Sequence, residues 1–174
     1  MILETELKDC RLRPWRPEDK PDLLHNANNR KVWLNLTDLF PSPYTEADAD
    51  FWISVATKPS PDIHVAIEYQ GKSVGGIGII AREGIYCKTA KFGYWLGEDY
   101  WGKGIATAAA RALTAFARSN LPFVRYEASV FAWNPASMRV LEKAGFSRES
   151  LRRRSVYKDG KIIDSVMYVL IVES

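Results

Sequence analysis

Trp101-Gly102-Lys103-Gly104-Ile105-Ala106-Thr107 runs straight into Ala108-Ala109-Ala110-Arg111-Ala112-Leu113, and this junction decides how the chain is read. Alanine is the strongest helix former, so a helix is expected to begin near Gly104. The first N–H groups of a helix lack intrahelical partners and sit at the positive end of the aligned peptide dipoles. Glycines there let a ligand approach the bare amides. The stretch reads as an anion cradle at a helix start, or as a plain strand-to-helix turn whose glycines serve geometry alone.

Upstream, Ala90-Lys91-Phe92-Gly93-Tyr94-Trp95-Leu96 alternates and is rich in aromatics, which predicts a strand. Strand, glycine loop and helix make a phosphate-binding unit, but neither a Walker A loop nor a G-x-G-x-x-G dinucleotide fingerprint is present.

The 174 residues are expected to form a single domain, with 47% hydrophobic and 26% charged residues. A net charge of +3 is too mild to argue for nucleic acid. Arg152-Arg153-Arg154 is the densest basic run and reads as a solvated strand edge or loop. Cys10 and Cys87 have no metal-binding or redox spacing. No signal peptide is expected and no apolar window is long enough for a membrane span, so a reducing, cytoplasmic location is the default.

Along the chain, residues 10–15 read as a first strand. Pro17-Glu18-Asp19 opens a helix carrying Leu23 and Leu24, and residues 30–44 read as irregular. Thr45-Glu46-Ala47-Asp48 resembles a capping box ahead of a helix with Phe51, Trp52 and Val55. Ile63 to Tyr69 alternates as a half-buried strand, and Ser73 to Ile80 follows as a glycine-bearing strand. On the helix after Gly104, Ile105, Ala109, Leu113 and Phe116 are spaced to face a sheet. Phe123 to Phe131 is another strand. Asn134 suits a helix N-cap, Pro135 the first helical position and Gly145 the residue past the end. Val156 to Ile162 reads as a hairpin with an Asp-Gly turn, and Val166 to Val172 as a closing strand. This order, with a parallel crossover around residues 90–131, predicts an α/β sandwich on a mostly antiparallel sheet. His25 and His64 have no partner pattern and read as structural.

The run from Gly93 to Thr107 resembles the acetyl-CoA loop of the GNAT N-acetyltransferases, and is most similar to their ribosomal-protein N-terminal acetyltransferase (Rim) branch. The superfamily pattern Gln/Arg-x-x-Gly-x-Gly/Ala falls on positions 101 to 106, with Gly104 and Ala106 fitting and Trp101 in place of the basic residue. A second block, Asn134-Pro135-Ala136-Ser137 with Val140 to Phe146, matches the same branch.

The resemblance implies a GNAT fold: a mixed, mostly antiparallel sheet with helices on both faces and a splayed parallel strand pair. It further implies acetyl-CoA as acetyl donor. Pantetheine would pair with Tyr94, Trp95 and Leu96, and the pyrophosphate would sit on Gly102, Lys103, Gly104, Ile105, Ala106 and Thr107. Asn134 would bind the pantetheine arm while capping its helix. Ser137 would donate a proton to the leaving thiolate or orient the thiol, and Glu127 stands as the candidate base. Many relatives carry a glutamate on the first splayed strand where this chain has Lys91. Lys143 is a further candidate for the phosphates. The expected acceptor is an amine, first a protein N-terminus and second a small molecule; a CoA-binding regulatory module without turnover is the third reading. No nucleic acid, membrane or metal is expected, and either a monomer or a homodimer is compatible.

Overall fold

The computed structural model describes residues 1–173. Eight strands form one sheet: β1 Leu3–Glu4, β2 Cys10–Pro14, β3 Ile63–Tyr69, β4 Lys72–Ala81, β5 Thr89–Leu96, β6 Arg125–Phe131, β7 Ser147–Lys158 and β8 Lys161–Ile171. Their spatial order is β1-β2-β3-β4-β5-β6-β8-β7. Every neighbouring pair is antiparallel except β5–β6, which is parallel. The helices are α1 Lys20–Ala27, α2 Arg30–Trp33, α3 Glu46–Ala56, α4 Ile105–Asn120 and α5 Pro135–Lys143.

Local chemistry accounts for most element ends. Thr45 Oγ1 accepts from the Asp48 amide while the Asp48 carboxylate takes the Thr45 amide, completing the capping box of α3. Asn134 caps α5 through the Ser137 amide, Pro135 takes the first helical position, and Gly145 sits past the end at φ +93°. Asp159 and Gly160 both adopt positive φ and turn β7 into β8.

One face of the sheet carries α4 and α5 over the main core, which includes Ile77, Ile79, Phe92, Ile105, Leu113, Tyr126, Leu141, Phe146 and Tyr168. On the opposite face, α1 packs on β4 and α3 on β3 around Trp15, Leu23, Tyr44, Ala49 and Ile53. Covered on both sides, β3 buries all of Val65–Glu68 rather than alternating as expected. Buried Glu68 is held by Arg11 and Arg13, and the Arg13 guanidinium also grips Asp19 through two 2.7 Å bonds. A buried carboxylate between β2 and β3 is tolerable only because guanidinium groups meet it.

The structure departs from the sequence reading at several boundaries. Residues 30–44 are not wholly irregular, because Asn29 caps the short helix α2. The strand expected from Phe123 begins at Arg125, and Val124 is exposed. On α4 the buried stripe includes Ile105, Ala109, Leu113 and Ala117, with Phe116 only half-buried. The hairpin strand expected from Val156 starts at Ser147, on an exposed run without apolar alternation.

Candidate active site

The site is built where the sheet opens. β5 and β6 are register partners only at Thr89–Arg125, Ala90–Tyr126 and Lys91–Glu127. β6 then stays with β8 to Phe131, while β5 stays with β4 to Leu96. From Phe92 to Leu96 the β6-facing edge of β5 therefore has no strand partner. Gly97 N–H bonds the Val74 carbonyl. Backbone alternation in an antiparallel pair then turns Trp95 toward β4 and aims the amide groups of Tyr94 and Leu96 into the gap. The Leu96 carbonyl is already engaged, taking a 2.8 Å bond from the Trp101 indole. The open edge thus offers the N–H and C=O of Tyr94 and the N–H of Leu96, a pattern suited to an extended ligand with amides of its own. Trp95, expected on this edge, lies instead on the α1/α3 face, with its ring 5.4 Å from Phe40. It lies over Gly76, where any Cβ would stand 2.8 Å from the indole nitrogen.

At the far end of β5, Gly102 and Gly104 adopt φ +73° and +77°, a left-handed conformation that side chains resist. A Cβ built on either meets nothing within 4 Å, so the loop's outer surface is open. The first rung of α4 is Ala108 N–H to the Gly104 carbonyl. The amides of Ile105, Ala106 and Thr107 precede that ladder and lie at the positive helix end. Beside them a cavity of about 330 Å³ is lined by Gly104, Thr107, Lys143 and Arg111, the last paired with Glu6 at 2.7 Å. Lys103 rests its ammonium 5.4 Å from the Tyr100 ring centroid. Bare amides and open space, with two lysines nearby, fit a diphosphate. A larger cavity, about 490 Å³, lies beside Cys10, Arg11 and Glu68, away from this gap.

Across the gap, the first turn of α5 presents Ser137. Its hydroxyl lies 2.7 Å from the Tyr94 hydroxyl. Burial pushes the Tyr94 phenol up to about 12, with the bond to Ser137 pulling the other way. Sequence reading valued Tyr94 for its backbone and missed the phenol; only its place on the strand face shared with Phe92 and Leu96 hinted at it.

Glu127 has a different surrounding from the one a base needs. It sits at the last closed rung, opposite Lys91. One carboxylate oxygen takes a 2.8 Å bond from Arg125 and the other a 3.0 Å bond from Arg82. Arg125 also pairs with Glu149 on β7. Glu127 is thereby the node of an ion-pair network at the closed end of the gap. Arg125 shares a strand face with Glu127 two positions on, whereas Arg82, 45 positions away, could not be read from sequence.

The opposite face of the gap is roofed by residues 30–44. Lys158, 2% exposed, places its ammonium 3.5 Å from the Trp33 ring centroid and 2.6 Å from Asp38. Arg30 holds Asp159 through two 2.7 Å contacts. Trp133 bonds Asn35 at 3.2 Å. Three links therefore tie the segment after α1 to the β6–β8 side. His64 packs edge-on to Trp52, and burial lowers its imidazole pKa, consistent with a structural role. His25 is exposed beside Asp99. No helix among the described residues is long and apolar enough to cross a membrane.

Residues 9–147 match the family described as "Acetyltransferase (GNAT) domain". The chain is 45% identical over 73 residues to "Probable N-acetyltransferase YjcK" of Bacillus subtilis (strain 168), a match covering 42% of the chain and 40% of that relative. It is 30% identical over 87 residues to "Ribosomal-protein-serine acetyltransferase" of Escherichia coli (strain K12), covering 50% and 49%. The matches thus span half or less of these relatives' own length. Among solved structures, a RimL ribosomal L7/L12 alpha-N-protein acetyltransferase in complex with coenzyme A superposes at TM-score 0.83 and 21% identity, over 98% of both chains.

Proposed function

The chain belongs to the GNAT acetyltransferase family, and from that premise we propose that it transfers acetyl from acetyl-CoA to the α-amino group of a protein. One observation carries the reading: the parallel pair ends at Lys91–Glu127, and the freed edge of β5 faces Ser137. Acetyl-CoA would supply the activated acyl group. The open amides of Tyr94 and Leu96 would hold its pantetheine arm, and the Asn134 side chain would meet that arm from α5. The amides of Ile105 to Thr107, with Lys103 and Lys143 at hand, would hold the phosphates.

Within that arrangement the nitrogen–carbonyl bond forms as the carbon–sulfur bond breaks, Ser137 donates a hydrogen bond to the leaving sulfur, and the proton the amine loses is the one the thiolate finally gains. Tyr94 donates to the Ser137 oxygen and so fixes the direction of the serine proton. A phenol near 12 does not surrender its proton outright to a thiolate of about 8.5. The pair therefore acts by hydrogen bonding to developing charge rather than by ionising the tyrosine. Glu127 carries no proton in this scheme; its two guanidinium partners hold the closed end of the gap.

An α-amine asks least of a base. With a reference pKa near 8, roughly a tenth of it is neutral at pH 7, against well under ~0.1% for a lysine. Holding amine and thioester in contact then supplies much of the acceleration. Two relatives support the protein acceptor: the sequence relative named ribosomal-protein-serine acetyltransferase and the structural neighbour named for L7/L12.

The test is thiol release from acetyl-CoA with free N-terminal peptides, N-blocked lysine peptides and polyamines as acceptors. Release with the first group alone is expected. Release confined to polyamines would reassign the acceptor, and none with any amine would overturn the transferase reading.

A further inference from the structure

The feature of the molecule that this chemistry leaves unused is the run Arg152-Arg153-Arg154. The pairing of β7 with β8 slips between Arg152 and Val156, so the arginines stand on a bulge. The bulge is pinned: Asp164 accepts the Arg154 amide at 2.8 Å, and Ser155 lies 2.8 Å from Ser165. All three residues are exposed. Among the described residues none of their guanidinium groups lies within ion-pair distance of a carboxylate, although Arg152 is near enough to Glu149 to help Arg125 hold that carboxyl below the usual range; Arg16, Arg118, Arg139 and Arg148 are single unpaired arginines elsewhere, whereas here three adjoin.

Register places this bulge level with the open end of the gap, two strands beyond β6. Arg152 is opposite Ser165 on β8, and Ser165 is opposite Phe131, the last residue of β6. The Ala132 amide bonds the Asp164 carbonyl just before Asn134. Alternation along β8 sends Val166, Tyr168 and Leu170 into the core under α4 and α5. Ser165 and its partner Arg152 consequently lie on the other face, the one roofed by residues 30–44.

We infer that Arg152, Arg153 and Arg154 dock a carboxylate-rich segment of the polypeptide whose amino terminus enters the gap; the inference rests on the acceptor being a protein N-terminus. Guanidinium groups pair with carboxylates through two parallel hydrogen bonds, and three adjacent ones accommodate an acidic run in more than one register. An edge-to-edge pair of two copies centred on this run would set arginine against arginine, so an acidic partner suits the bulge better. The modest net charge of +3 and the confinement of these cations to one bulge favour an acidic peptide over RNA.

The test uses three peptides of equal length with free N-termini, differing only in whether glutamate, glutamine or lysine follows the terminus. At low salt, kcat/KM for the glutamate peptide is expected to exceed that for the glutamine peptide by about tenfold, shrinking as salt rises. In the full chain carrying Arg152→Gln, Arg153→Gln and Arg154→Gln, that ratio is expected to fall toward unity with the thermal midpoint unchanged. Turnover of all three peptides without charge preference, or a preference that survives the triple change, overturns the docking surface alone. No turnover of any peptide overturns it together with the acceptor assignment. RNA that binds the parent but not the triple variant, with no peptide preference, reassigns the bulge to nucleic acid.

Discussion

The hydroxyls of Tyr94 and Ser137 stand 2.7 Å apart across the opening between β5 and α5, although 43 positions separate them in the chain. This contact joins the strand that would hold the pantetheine arm to the helix that would meet the sulfur. Its proton arrangement decides which oxygen is left to donate, which makes it the sharpest handle on the proposed chemistry.

Ser137→Ala is expected to lower kcat by about a hundredfold, the low end for loss of a proton donor, with KM for acetyl-CoA within about twofold. Tyr94→Phe is expected to lower kcat by about tenfold, and the double variant to be no worse than Ser137→Ala, since both act on one proton. Steady-state kinetics check this. A Ser137→Ala enzyme at parental rate would remove the donor assignment. Additive losses would detach Tyr94 from Ser137.

Gly104→Val places a β-branched residue at φ +77°, where side chains cost ~1–2 kcal/mol. Its Cβ would meet nothing within 4 Å, so the cost lies in the backbone conformation of the loop rather than in a clash. Acetyl-CoA affinity measured by calorimetry is expected to fall by about tenfold or more, while the acceptor KM moves little. Unchanged affinity would mean that the diphosphate lies elsewhere.

Lys158 is enclosed by Trp33 and Asp38, so removing the carboxylate strands a buried cation on an aromatic face. Asp38 itself is mostly exposed, which limits the loss; Asp38→Asn is expected to cost about 1 kcal/mol. Lys158→Met keeps the packed stem and loses both charge contacts. Both variants loosen the roof formed by residues 30–44 and are expected to raise the acceptor KM while leaving that of acetyl-CoA unchanged. Thermal melts and paired KM measurements decide it.

Alkaline stability follows from the tyrosines. Burial pushes Tyr44, Tyr94 and Tyr168 each up to about 12, so the folded state resists their ionisation. Their contribution is fully present below the ordinary value of 10.0 and is lost as pH rises toward about 12. Melting temperature is expected to hold up to about pH 10 and then drop, with the tyrosinate absorbance of these three, read after subtracting that of exposed Tyr86 and Tyr157, rising at the same midpoint. Ionisation of Tyr44, Tyr94 or Tyr168 well before unfolding would contradict the burial.

What could be read from the residues alone was whatever neighbours in sequence enforce. Thr45 with Asp48, Asn134 with Ser137, the Asp159-Gly160 turn and the glycines before Ile105 each act within a few positions, so their spacing is their structure. Family resemblance in the same stretches indicated where the strands part. The rest depended on register between distant strands. Which backbone groups of Tyr94, Trp95 and Leu96 face the gap was settled by the pairing of β5 with β4. Arg82 met Glu127, Lys158 found Trp33, and the arginine run came level with the end of β6, only once the order and offset of the strands were set. No local periodicity encodes such meetings: hydrogen bonds and ion pairs between remote residues exist only after the core has fixed the order and offset of the strands.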